Sequence, residues 1–112
     1  MKAKYLNTIK NLLRQTHPRL AAGHELTFKP CFGAVAAYVD DNIFATCGEF
    51  GVALKLPSKT VEQLLSDQDA RLLKYSTNGR IKKNYVVIPV NLLVDRENLG
   101  DLVSQSVQYV CE

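Results

Sequence analysis

Tryptophan is absent from this chain and methionine occurs once, so its aromatic character rests on tyrosine and phenylalanine. No apolar run approaches the roughly 20 residues that a membrane-spanning helix needs. The lysines of the first few residues are not followed by an apolar stretch, because Asn7, Thr8, Lys10 and Asn11 interrupt it. A secretory leader is therefore not expected. The three cysteines, Cys31, Cys47 and Cys111, are far apart, odd in number and without Cys-x-x-Cys spacing. That pattern speaks against a disulfide framework and a structural zinc site, and it predicts free thiols in the cytoplasm. There is no G-x-G-x-x-G, P-loop, H-E-x-x-H, G-x-S-x-G or EF-hand loop. No catalytic residue, cofactor or metal is expected, and binding is favoured over enzyme chemistry.

Negative charge is missing from two stretches. Residues 1–24 carry Lys2, Lys4, Lys10, Arg14 and Arg19 with no acid, and residues 71–83 carry Arg71, Lys74, Arg80, Lys82 and Lys83 with no acid. The end of the chain leans acidic through Asp95, Glu97, Asp101 and Glu112. Such asymmetry guides a charged partner more than the modest net charge of +3 does.

What is present suits one folded domain spanning residues 1–112. Hydrophobic residues make up 46% of the chain and charged residues 22%, enough apolar material for a core without staples. Tyr5, Ile9, Leu12 and Leu13 form one stripe of a helix that His17-Pro18 ends. Leu26 and Phe28 alternate with Thr27 and Lys29, and Pro30 predicts a bend or bulge in that strand. Phe32–Val39 is almost wholly apolar. Asp40-Asp41-Asn42 is a turn cluster, Ile43–Cys47 a strand, and Gly48–Gly51 a turn. Val52, Leu54 and Leu56 alternate with Ala53 and Lys55 as a half-buried strand. A second helix is expected over about 59–66, capped by Ser58 or by a Thr60/Gln63 capping box. Arg71–Tyr75 and Ile81–Ile88 flank Thr77-Asn78-Gly79-Arg80, a strong hairpin signal, and Pro89 closes the last strand. The final helix follows Asp95 as N-cap, with Leu99, Leu102, Val103, Ser106 and Val110 inward.

The order is helix, three strands, helix, two strands, helix. It predicts a two-layer α+β domain with a five-stranded antiparallel sheet and all helices on one face. Val35, Ala37 and Val39, or their alternates, then face away from the helices. An apolar sheet face of that kind marks an association surface and predicts a homodimer through the face or a strand edge.

Three side-chain groups bear on chemistry. Cys47 with His17 or His24 is a thiol-enzyme reading, set against a small core side chain. His17 and His24 with Asp40, Asp41 or Glu49 lack metal-ligand spacing and read as solvated histidines. Lys74, Arg80, Lys82 and Lys83 around the hairpin, with Tyr75 and Tyr85, are the candidates for nucleic-acid contact, together with the basic first helix. Lysines on an edge hairpin also serve simply to deter aggregation. Lys55, inside its strand, is read as a lysine lying along apolar neighbours.

Cys31-Phe32-Gly33-Ala34, then Tyr38-Val39-Asp40-Asp41-Asn42-Ile43-Phe44-Ala45, then Val52-Ala53-Leu54-Lys55 resemble the N-terminal domain of TfoX, a bacterial competence regulator. The family pattern has Met-Phe-Gly-Gly, Tyr-x-Asp-Gly leading to Met-Phe-Ala, and Tyr-Leu-Lys. Leu73-Lys74-Tyr75 with Asn84-Tyr85-Val86-Val87-Ile88-Pro89 resembles its Phe-x-Tyr … Tyr-x-x-x-Pro hairpin. This chain departs at Cys31, Ala34, Asn42 and Ala53. The resemblance places Phe32, Gly33, Phe44, Lys55, Tyr75, Tyr85 and Pro89 in the pattern, as signature positions without a catalytic role. It implies a transcriptional or competence-linked setting and a domain that works as an adaptor for another protein, with nucleic-acid binding the alternative.

Overall fold

The computed structural model describes residues 2–67, 70–74 and 80–112. Helix α1 (Ala3–Thr16) buries Tyr5, Ile9 and Leu13 of the expected stripe, with Leu12 only half-buried, and ends before Pro18. A short α2 (Leu20–Gly23) leads into strands β1 (Leu26–Cys31), β2 (Ala34–Val39), β3 (Asn42–Gly48) and β4 (Gly51–Lys55). Helix α3 (Ser58–Asp67) precedes β5 (Arg71–Leu73) and β6 (Lys82–Val87), and a short α4 (Val90–Leu93) precedes α5 (Arg96–Cys111). The strands form one antiparallel sheet in the order β1-β2-β3-β4-β6-β5.

The sheet has six strands where the sequence predicted five. The extra one comes from Phe32 and Gly33, at φ 49 and 80, which reverse the chain so that Cys31 pairs with Ala34. Two consecutive positive-φ residues make the tight hairpin turn that matches strand twist. Pro30 sits in register opposite Val35 rather than at a bulge, because edge strand β1 can spare an N–H. The bulge lies in β3: the register jumps from Ala37↔Ala45 to Tyr38↔Ile43, leaving Phe44 without an opposite residue in β2. Residues Asp40 and Asp41, at φ 48 and 66, turn β2 into β3 as expected.

Helix ends follow the sequence in part. Asp95 caps α5, accepting from the Asn98 N–H at 3.2 Å. Ser58 does not cap α3: the first helical bond runs from Val61 N–H to the Pro57 carbonyl, and Ser58 Oγ accepts from Asn84 Nδ2. Thr60 forms no capping box and donates to Gln105 Oε1 on α5. Asn78 and Gly79 of the expected hairpin turn lie outside the described residues, as does Tyr75.

One core lies between the sheet and the helices. Ile9, Leu13, Val61, Leu64, Leu99, Leu102 and Val103 pack there against Val35, Val39, Phe44, Leu54, Leu56 and Val86. Burying such side chains contributes about 1.5–3 kcal/mol each. Ser106 reaches into this core, is fully buried, and donates to the Phe44 carbonyl at 2.8 Å. Helix α5 thus supplies the hydrogen bond for the carbonyl of the bulged residue.

Candidate functional site

Strand residues alternate in direction, so the residues not facing the helices can be named from the register. They are Thr27, Lys29 and Cys31 on β1, Ala34, Ala36 and Tyr38 on β2, Ile43, Thr46 and Gly48 on β3, Ala53 and Lys55 on β4, Tyr85 and Val87 on β6, and Arg71 and Leu73 on β5. Among the described residues, no helical side chain joins the small cluster of Ala53, Leu73 and Val87 with Phe50 and Tyr85 on this far face.

The expected open greasy surface is not there. Ala34, Ala36, Thr46 and Ala53 are at most 5% exposed. Side chains this small form a floor, and larger ones rise around it. Phe50 reaches over Gly48, where an added Cβ would stand 2.8 Å from its ring. Lys29 Nζ lies 5.0 Å from the Tyr38 ring centre, and Lys55 Nζ lies 5.7 Å from that of Tyr85, its neighbour in register. Cation–ring contacts of this length contribute about 0.5–1 kcal/mol at exposed sites. Burial, followed by the neighbouring Tyr38 and Cys31, pushes the Tyr85 phenol up. A hollow of about 320 Å³ at one end is lined by Tyr38, Asp41, Asn42, Ile43 and Lys55 with Tyr109 and Val110 of α5.

Two features set this face apart. The hydroxyls of Thr27 and Thr46 are buried without a hydrogen-bond partner, and both belong to it. The described strands also hold Lys29, Lys55, Arg71, Lys82 and Lys83 and no Asp or Glu. Every acid among the described residues lies outside the strands, so the sheet is a basic element.

A family model described as the TfoX N-terminal domain matches residues 19–110. The chain belongs to this family. No curated protein matches it, and no solved structure does. The TfoX N-terminal domain family is a regulatory one, not a known enzyme family. The positions that the sequence resemblance placed in the family pattern divide by job here. Phe44 is fully buried, Gly33 makes the hairpin turn and Pro89 precedes α4, so these three build the fold. Lys55 and Tyr85 come together on the far face, and Phe32 is 78% exposed at the β1–β2 tip.

The other candidates separate. Cys47 is 3% exposed in the helix-side core, and burial pushes its thiol up, which is the opposite of activation. Neither histidine is bonded to it. The His17 ring lies between Thr16 Oγ1 at 3.0 Å and Ser104 Oγ at 2.8 Å. Thr16 gives its single proton to the Leu12 carbonyl, so His17 Nδ1–H donates to Thr16 and Nε2 accepts from Ser104. This chain of bonds latches the end of α1 to α5. His24 instead meets Asp40, with Nδ1 2.6 Å from Oδ2.

Lys74, Arg80, Lys82 and Lys83 are exposed along the β5–β6 margin of the sheet. Helix α1 packs on β2, β3 and α5 in the opposite layer. The two basic stretches therefore do not line one groove. No helix among the described residues is long and apolar enough to cross a membrane.

Proposed function

We propose that this chain is a non-catalytic regulatory adaptor that binds an acidic segment of a protein partner on the sheet face opposite its helices. Membership of the TfoX N-terminal domain family supports the regulatory part, and competence-linked transcription is the setting that family suggests. One observation carries the rest: Lys29 over Tyr38 and Lys55 over Tyr85 flank a floor of small residues on a face whose strands contain no acid. Ammonium groups held over rings offer charge and flat apolar contact together, which suits carboxylates interspersed with apolar side chains.

A second copy is a poor occupant of this face. Two such sheets would bring lysines against lysines, and like charges across an interface cost several kcal/mol. Pairing through a strand edge is opposed by Lys29 and Pro30 on β1 and by the brevity of β5. The homodimer reading accordingly gives way to a partner of opposite charge.

The test is amide chemical-shift mapping with a synthetic peptide alternating glutamate and leucine. The expected shifts fall on Lys29, Tyr38, Thr46, Lys55 and Tyr85. Shifts confined to the helices, or none at millimolar peptide, would contradict the proposal. The nucleic-acid reading draws on Tyr85, one of these two rings, as a stacking platform. It predicts instead a steep loss of duplex or single-strand binding with salt and shifts centred on Lys74, Arg80, Lys82 and Lys83.

A further inference from the structure

We propose that His24, Asp40 and Cys111 form a binding site for a borderline divalent transition metal ion, with Zn2+ foremost. A ring nitrogen of His24, a carboxylate oxygen of Asp40 and Sγ of Cys111 lie within 4.8 Å of one another. They come from three separate places: the residue after α2, the β2–β3 turn, and the last turn of α5. The fold assembles this set, since Cys111 lies 71 positions after Asp40 in the chain. In a tetrahedral site with bonds of about 2.0–2.3 Å, ligand atoms stand about 3.3–3.7 Å apart. Side-chain movements of about an ångström therefore close the triangle.

The carboxylate is already held in place. Asp40 N–H donates to the Glu25 carbonyl at 2.8 Å, and Oδ1 accepts from Glu25 N–H at 2.8 Å. Backbone bonds to one oxygen leave the other, Oδ2, facing His24. Outer bonds of this kind orient ligands in metal sites. The donor set of nitrogen, oxygen and sulfur matches Zn2+ and its neighbours; Ca2+ and Mg2+ require several oxygens and shun a thiol. Three protein ligands leave a fourth position for water. On binding, the Cys111 thiol gives its proton to solvent and the sulfur bonds the ion as thiolate.

The same three residue types build thiol–imidazole–carboxylate relays, and the geometry decides between the two. A relay places the carboxylate on the far side of the ring from the sulfur. Here the sulfur lies within 4.8 Å of the carboxylate as well. Slight desolvation and the Asp40 charge both push the Cys111 thiol up, so without a cation the sulfur stays protonated.

The experiment titrates the reduced protein with Co2+, a coloured substitute for Zn2+. Binding at one equivalent should give the visible bands of tetrahedral cobalt and a thiolate charge-transfer band, and Zn2+ should bleach both. Cys111→Ser should abolish the charge-transfer band, and His24→Ala or Asp40→Asn should weaken binding at least tenfold. Cys31→Ser should leave the bands intact. Far-UV circular dichroism checks that each variant is folded, and the His24→Ala result stands if Asp40→Asn disturbs the turn. As an independent readout, Zn2+ should slow alkylation of Cys111 and not of Cys31. Absence of the bands at millimolar Co2+, their survival in Cys111→Ser, or their loss in folded Cys31→Ser would overturn the proposal.

Discussion

Replacing Ser106 by alanine isolates the contact that ties the β3 bulge to α5. The hydroxyl is fully buried and its bond to the Phe44 carbonyl is 2.8 Å long. Phe44 has no opposite residue in register in β2 or β4, so no strand takes over when the hydroxyl is gone. A buried hydrogen bond contributes about 0.5–1.5 kcal/mol net, and leaving an acceptor dry costs about 1–3 kcal/mol. Removing one oxygen atom leaves too little space for a water, so the larger cost applies. The expected loss is about 1.5–3 kcal/mol, a fall in Tm of about 6–12 °C for a chain of this size. Urea unfolding followed by far-UV circular dichroism measures it, since there is no tryptophan to follow. The midpoint should fall with the slope unchanged. A loss below about 0.5 kcal/mol would refute the reasoning, because the Phe44 carbonyl would then be satisfied elsewhere.

Three further outcomes follow from the same structure. Thr46→Val keeps the branched shape and removes a buried hydroxyl without a partner, so it should raise stability by about 1–2 kcal/mol in urea unfolding. An unchanged or lower midpoint would mean that the hydroxyl is bonded. Phe32→Gly relieves a bulky residue at φ 49 and should stabilise the chain by about 1 kcal/mol. A clear loss by the same measurement would show that the ring packs on something worth more. Burial pushes His17 below the usual histidine value, so its folded pKa lies under its unfolded one. Its contribution is therefore complete above about 6.5 and is lost as pH falls through the lowered value. Urea midpoints from pH 7 to 5 should fall more steeply in the parent than in His17→Gln, and parallel curves would contradict the latch.

The helices were legible because their signals are local. Tyr5, Ile9 and Leu13 recur with the helical period, and Asp95 stands where a cap belongs. Counting strands failed at Phe32-Gly33, where a phenylalanine occupies a conformation that sequence reasoning assigns to glycine or asparagine. The character of the far face was half legible. The almost unbroken apolar run Phe32–Val39 revealed a second face but not that Ala34, Ala36 and Ala53 would be its floor, since which neighbours shade a small side chain is set by register. Lys55 and Tyr85 carried no pairwise signal, because a cross-strand pair between β4 and β6 depends on sheet order. His24 with Asp40 was weighed from the sequence and set aside for want of ligand spacing, and Cys111 was never joined to them, because no spacing rule links a loop, a turn and the last turn of a distant helix.

The far face as a receptor for negative charge is tested most directly by reversing its lysines. Peptide binding is measured by fluorescence anisotropy for the parent and for the Lys29→Glu/Lys55→Glu double variant, each against a glutamate–leucine and a lysine–leucine peptide. The expected result is an exchange of preference, with the acidic peptide weakened at least tenfold and the basic one strengthened, while circular dichroism shows an unchanged fold. Equal binding of the acidic peptide by both proteins would contradict the account.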